Sequence, residues 1–248
     1  MNVNLWGPDL WLILSGTACL VTEKNVTDLG LVYSLLRRLL PCPLCLQSYI
    51  TFYAEEVYKT TIEEVLLRDS VGFVYSIHSK VVRKLEDKKF EEFAKVVGIN
   101  GEHKAMLSSI PTRAVFDKRL YLSEGMMFST HAVWKTLFAM SFGPNMDDSQ
   151  KEALNLWIQA LASVLSTSIR IEYQSLARQL EKLYKTTFIG RTQMQIFFLI
   201  ALCRENELTY NSVTNDRLME ENHIPLMLLY TRYASTLPAK SCSLVTCA

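Results

Sequence analysis

Apolar residues recur along this chain at intervals of three and four, the spacing that lines one side of an α-helix. Residues 25–40 place Leu29, Val32, Leu36, Leu39 and Leu40 on one face. Thr61-Ile62-Glu63-Glu64 has the form of a capping box ahead of Val65-Leu66-Leu67. Val71, Val74, Tyr75, His78, Val81, Val82 and Leu85 make a further helical stripe. No two strand-like runs joined by a two-residue glycine turn are present. Roughly the first 100 residues therefore predict a small bundle of about four helices. Residues 101–124 are more irregular, with Pro111 and Gly125 as punctuation. A second helical block follows. Asp147-Asp148-Ser149 starts a helix carrying Ala153, Leu154, Trp157, Leu161 and Leu165. Ile169, Tyr173, Leu176, Leu180 and Leu183 continue as a stripe, and residues 191–203 form a further helix. Little after Leu237 has apolar periodicity, which predicts a mobile tail. The expected fold class is all-α.

The two blocks echo each other. Trp11-Leu12-Ile13-Leu14 stands as far ahead of Cys42 as Trp134-Lys135-Thr136-Leu137 stands ahead of Leu165. The same shift, 123 in numbering, also sets Leu85 on Leu208, and it puts Leu165 and Ser168 where the first block has Cys42 and Cys45. This reads as a degenerate duplication; the competing reading is a chance alignment of generic helical stripes.

Composition narrows the function classes. With 248 residues and 49% hydrophobic content, the chain can bury a sizeable core in one or two domains. Its 26 basic and 25 acidic residues leave a net charge of +1, which offers no electrostatic case for nucleic acid. The longest apolar runs, 10–14 and 196–203, are too short to span a bilayer. The first residues lack a basic n-region, and Pro8, Asp9 and two tryptophans interrupt the apolar pattern, so no cleaved signal is expected.

Six cysteines, at 19, 42, 45, 203, 242 and 247, are too few for a disulfide scaffold. Four of them form two close pairs, Cys42/Cys45 and Cys242/Cys247. Cys42-Pro43-Leu44-Cys45 opens a helix. Helix N-terminal N–H groups lower a thiol pKa, and the thiolate is the attacking species in disulfide exchange. The other readings of this pair are a structural disulfide or half of a zinc site. Zinc needs four ligands, the next histidine is as distant as His78, and no second C-x-x-C exists. Cys19 and Cys203 fall on apolar helical faces and read as packed thiols. Neither Cys242 nor Cys247 stands at the fourth position from the end, so lipidation is not expected.

Three elements, in order, carry a resemblance. Trp6-Gly7-Pro8-Asp9-Leu10-Trp11-Leu12-Ile13-Leu14 resembles a W-G-x-x-x-W-x-x-L opening helix. Pro41-Cys42-Pro43-Leu44-Cys45 followed by Tyr49 resembles a P-C-x-x-C-x-x-x-[FY] centre. His78-Ser79-Lys80-Val81-Val82-Arg83-Lys84-Leu85 resembles an H-N-x-V-N-x-x-L helix. Together they are similar to the Erv/ALR flavin-linked sulfhydryl oxidases, over roughly residues 5–90, about a third of the chain.

That resemblance implies an FAD-binding four-helix bundle. It implies oxidation of protein dithiols to disulfides, with oxygen reduced to hydrogen peroxide. Carried over by position, Cys45 is the flavin-proximal sulfur, whose thiolate forms the charge-transfer contact and the flavin adduct, and Cys42 is the interchange sulfur that meets substrate. Trp11 and His78 lie against the flavin and adenine ends of the cofactor. Lys80, Lys84 and Lys88 meet its pyrophosphate, which needs cationic donors. Gly7, Ser15, Tyr49, Val81, Val82 and Leu85 complete the cofactor-binding positions. Cys242 and Cys247 match a mobile pair that shuttles electrons from substrate; the plainer reading is two incidental cysteines. No metal is implied. The implied partners are protein dithiols and oxygen, without nucleic acid or a membrane span, and either a homodimer or an internal pseudo-dimer.

The chain departs from the family pattern at specific positions. Ser15 stands where the family has histidine, and Ser79 and Val82 where it has asparagines. The family's structural cysteine pair after the histidine helix has no counterpart in this block. Such divergence, with an extra helical half, resembles members carried by large DNA viruses, which act in the infected host cytoplasm or the virion. The expected division is an oxidase bundle over 1–100, a connector over 101–127, a degenerate helical copy over 128–237 and a cysteine-bearing tail over 238–248. Outside the resemblance, His78 reads as a satisfied core histidine, Trp11 as a core aromatic and the lysines as a solvated face. The other function classes are a flavin-free structural or interaction protein derived from this fold, and a thioredoxin-like oxidoreductase. The absence of any strand-helix-strand pattern opposes the latter.

Overall fold

The structure, a computed structural model, describes residues 6–97, 112–114, 128, 130–143, 147–186 and 191–205, without the side chains of 88–97 and 205. All regular structure among the described residues is helical. The helices are α1 (Gly7–Ala18), α2 (Val26–Leu39), α3 (Pro43–Glu56), α4 (Ile62–Val97), α5 (Thr130–Met140), α6 (Asp148–Ser166), α7 (Ile171–Tyr184) and α8 (Arg191–Glu205).

Local chemistry sets several of these boundaries. The Thr61 hydroxyl accepts from the Glu64 N–H at 3.2 Å, while the Glu64 carboxylate accepts from the Thr61 N–H at 3.2 Å, so the capping box closes in both directions. These bonds, led by that from the Thr60 hydroxyl, hold the Glu64 carboxyl below its usual pKa. The Asp147 carboxylate accepts from the Gln150 N–H at 2.8 Å and caps α6. Inside α4, Asp69 is extended (φ −163°, ψ 80°), and its carboxylate accepts from the Gly72 N–H at 2.8 Å. Helix α4 is therefore kinked there, with Asp69 capping the following turn.

The predicted stripes on α2 and α6 are buried at every named position. On α4 only the first part of the stripe is core. Val71 and Val74 are buried, whereas Tyr75, His78, Val81 and Val82 are half-buried and Leu85 is 40% exposed. Two expectations are overturned. Ile169 is 96% exposed, because the Ser168 hydroxyl accepts from the Arg170 N–H in a turn and the helix restarts only at Ile171. Cys19 is exposed rather than packed; it caps the C-terminus of α1, with its thiol on the Ser15 carbonyl at 3.5 Å. Cys203 is buried, and burial pushes its thiol up to about 11.

Helices α1 to α4 pack on one another, with α2 in contact with α1, α3 and α4. The later helices join through matching partners: α5 lies on α1 and α6 on α2, with α7 on α6 and α8 on α5. Helices α2 and α6 run antiparallel. Asn25 Nδ2 donates to Thr167 Oγ1 at 2.9 Å at one end, and Arg38 donates to the Ser149 carbonyl at 2.9 Å at the other. Between them the wholly buried Trp157 donates its indole N–H to the Val32 carbonyl at 3.0 Å. A Lys135–Asp9 ion pair at 2.6 Å ties α5 to α1. The shift that sets Trp11 on Trp134 also carries the first residue of α1, Gly7, onto Thr130, the first of α5. It carries Val26 onto Ser149, beside the Asp148 start of α6. It then carries Pro43 onto Ser166 and Ile62 onto Lys185, each more than a turn short of the starts of α7 and α8. A constant shift thus fits two helices and fails at the third. In the helix frame the N-cap Cys42 is matched by the N-cap Arg170, not by Leu165.

Replacing Trp157 probes the α2–α6 seam. Trp157→Phe removes the bond to Val32 and costs about 1 kcal/mol. Trp157→Ala also opens a core cavity and costs about 3–5 kcal/mol, read from urea denaturation midpoints at constant slope. Equal and small losses for both would place the seam's stability elsewhere.

Candidate functional site

The Cys42–Cys45 centre is shaped by the end of one helix and the start of the next. Helix α2 stops as Leu40 turns extended, and the buried Pro41 follows. Cys42, also extended, is the N-cap of α3, and Pro43 supplies the first helical residue without losing a needed donor. The Cys42 Sγ accepts from the Cys45 N–H at 3.3 Å, as a capping side chain does. That places its sulfur over the first turn, where Cys45 projects, and the two are disulfide-bonded with Cα atoms 5.2 Å apart. Both residues are half-buried. On reduction, negative charge on Cys42 would face the positive end of α3 and a backbone donor.

Buried hydroxyls hold α3 in place. The Tyr49 OH donates to the Tyr33 carbonyl at 2.9 Å, and the Tyr33 OH donates to the Leu14 carbonyl at 2.9 Å. This chain runs from α3 through α2 to α1. Burial raises both phenol pKa values, so both remain neutral donors. Tyr53, one turn beyond Tyr49, lies under the Arg37 guanidinium at 4.6 Å.

Helix α4 runs antiparallel along the other side of α3. Lys84 Nζ is 2.6 Å from Ser48 Oγ, near the disulfide end. Lys80 Nζ meets Glu55 at 2.8 Å and Glu56 at 2.6 Å, near the far end. Burial works against the Lys80 ammonium, but its bonds to Glu55 and Glu56 outweigh that and raise its pKa. His78 lies edge-on to Trp11, with ring centroids 4.8 Å apart. Burial pushes His78 down to about 4, so the imidazole is neutral at pH 7.

The sequence-derived positions do not all come together. Trp11 and His78 meet between α1 and α4, Val81, Val82 and Leu85 follow His78 on α4, half-buried or exposed, and Lys84 lies against α3 at Ser48. Gly7, Ser15 and Tyr49 are buried, and the visible work of Tyr49 is to clamp α3 to α2. Lys80 is on the α4 face but is bound to two carboxylates. The Lys88 side chain, Cys242 and Cys247 lie outside the described residues. Sequence reasoning missed Glu55, Glu56 and Ser48 as partners of the lysines. It also missed Arg113, which grips Asp69 through two bonds of 2.9 and 3.0 Å and lies 5.8 Å above the Tyr75 ring. No local pattern joins residues so far apart in the chain. Among the described residues no group of three His, Cys, Asp or Glu could hold a metal ion, and no helix is long and apolar enough to cross a membrane.

No family model, curated protein or solved structure matches the chain. The residues on α4 fit a flat cofactor with a polar edge. The half-buried row of Tyr75, His78, Val81 and Val82 offers apolar contact, and the buried Ser79 Oγ beside it has no hydrogen-bond partner.

The low His78 pKa has a consequence for stability. Between pH 6.5 and 4 the unfolded chain protonates His78 and the folded chain does not, so stability falls as pH falls through that window. The loss is on the order of 3 kcal/mol. A His78→Gln variant should show a visibly shallower fall in melting temperature over the same pH range; an unchanged slope would rule out the histidine as its source.

Proposed function

We propose that the chain is an FAD-dependent thiol oxidase that forms disulfides in protein substrates. The observation that carries this reading is the Cys42–Cys45 disulfide at the N-terminus of α3, a helix that packs against α4 with Ser48 on Lys84. The order of the tryptophan helix, the C-x-x-C and the His78 helix supports it.

A substrate thiolate attacks Cys42 Sγ. The Cys42–Cys45 bond breaks, and its electron pair leaves on Cys45 as a thiolate. A second substrate thiolate then attacks the substrate sulfur now joined to Cys42, releasing the Cys42 thiolate and the oxidised substrate. Two electrons have moved from substrate to the Cys42/Cys45 pair, and the two thiol protons have gone to solvent or to the new thiolates. The helix N-terminus and the Cys45 N–H favour the Cys42 thiolate, which makes it a good leaving group in the second step. FAD, when bound, supplies the two-electron acceptor that restores the disulfide and passes the pair to oxygen as hydrogen peroxide. Trp11, His78, Val81, Val82 and Ser79 would hold it, with Lys84 as the cation near the disulfide end of α4. His78 would present a neutral ring to it. In this reading Cys242 and Cys247 relay electrons from substrate, and α5–α8 descend from a second copy of the first four helices.

One observation favours a different class. Lys80 is already neutralised by Glu55 and Glu56, and the histidine and asparagines of the family pattern are Ser15, Ser79 and Val82. A flavin-free interaction protein with a structural Cys42–Cys45 bond would need none of them.

Purified full-length protein separates the two. The oxidase should be yellow, release FAD on unfolding and consume oxygen with dithiothreitol. A colourless preparation with no flavin refutes the oxidase reading. In the oxidase, Cys45→Ser and Cys42→Ser each bring dithiol oxidation to background while leaving FAD bound. Retained turnover in Cys45→Ser removes it from the electron path.

A further inference from the structure

The redox centre opens onto a face of α3 that carries no charge. Between Arg38 and Glu55, residues 39–54 contain no Asp, Glu, Lys or Arg. Helical spacing puts Leu44, Gln47, Ile50, Thr51 and Ala54 on one side, and all five are exposed. Leu44, the residue between the disulfide sulfurs in sequence, is 76% exposed, and Ile50 is 37% exposed. Tyr49 and Tyr53 point the other way, into the core, and Lys84 is held at Ser48 on the α4 side.

An exposed leucine costs little, but its position constrains what reaches the sulfurs. A chain that delivers a thiol to Cys42 or Cys45 must pass over the first turn of α3, where Leu44 projects. Charged groups on that chain would lose water against Leu44 and Ile50 and find no counter-charge on residues 43–54 of α3; Glu55 and Glu56 stand at its far end, bound to Lys80. Apolar groups would instead bury those two side chains.

We propose that this face is the substrate-docking surface, and that its partner is an uncharged, apolar, cysteine-bearing segment of another protein. The inference rests on reading Cys42–Cys45 as the disulfide that substrates attack. It adds the substrate class, which the disulfide alone does not specify. Charge-rich cysteine segments are the disfavoured competitors.

Two dithiol peptides of equal length test it, one with Leu, Val and Thr around its cysteines and one with Asp and Lys. The full-length protein should oxidise the apolar peptide about tenfold more efficiently, judged by kcat/KM. That preference should change little between low and high salt. Leu44→Ser and Ile50→Thr should each lower the ratio of apolar-peptide to dithiothreitol kcat/KM several-fold, with flavin content and melting temperature kept. Equal rates for the two peptides, or ratios unchanged in both variants, overturn the proposal. Loss of a dimer in the variants with ratios unchanged also overturns it, and gives the face to a second copy of this chain. Binding of a cysteine-to-serine version of the apolar peptide, followed by fluorescence anisotropy, separates the two readings. If it binds wild-type protein but not the variants while dithiothreitol is not oxidised, the oxidase reading fails and the docking face stands. If dithiothreitol is oxidised and the serine peptide does not bind, the docking face fails alone.

Discussion

Burial of α2 is the constraint on which the rest of the structure depends. The helix meets α1, α3, α4 and α6, so it has little surface left for water. Leu29, Val32, Tyr33 and Leu36 are wholly buried, and each such side chain stabilises the fold by roughly 1.5–3 kcal/mol. A helix enclosed on so many sides must also satisfy every polar group it buries. Tyr33 does this by donating to Leu14 in α1 and offering its carbonyl to Tyr49 in α3. Val32 offers its carbonyl to Trp157 in α6. The same helix thus bonds to both the earlier and the later helices.

This arrangement determines how firmly the disulfide is held. The chain leaves α2 at Leu40, crosses the buried Pro41 and starts α3 at once, so Cys42 has little freedom relative to α2. Tyr49, one turn beyond Cys45, fixes the rotation of α3, and this turns Leu44 and Ile50 outward. Helix α4 closes the opposite side, where ion pairs at Lys80 and the Lys84–Ser48 contact align it with α3. Past the kink at Asp69, Tyr75, His78, Val81 and Val82 of α4 are only half covered.

Much of this was legible locally. Residues 25–40 carry the helical period of a buried helix, and Thr61 with Glu64 and Asp147 with Gln150 are caps whose partners lie within one turn. Cys42 as N-cap needed only the Pro43 that follows it. Failures occurred where the apolar period runs on through a turn. Ile169 continues the period but is left in the open, because Ser168 caps its own backbone. Cys19 fits the α1 stripe yet ends the helix, exposed. The constant shift between the two blocks matched two helix starts and then slipped, since a period says nothing about turn length.

The sequence by itself determined that the described chain is helical, where most helices begin, and that two cysteines meet at the start of one of them. These are decisions made within a turn or two of backbone, by caps, proline and apolar spacing. Only the tertiary structure decided that Lys80 is neutralised by Glu55 and Glu56, that Arg113 grips Asp69, and that His78 is desolvated beside Trp11. It also decided that α6 lies along α2. Each of these joins residues far apart in the chain, and their energies depend on distance and burial, which no local pattern encodes.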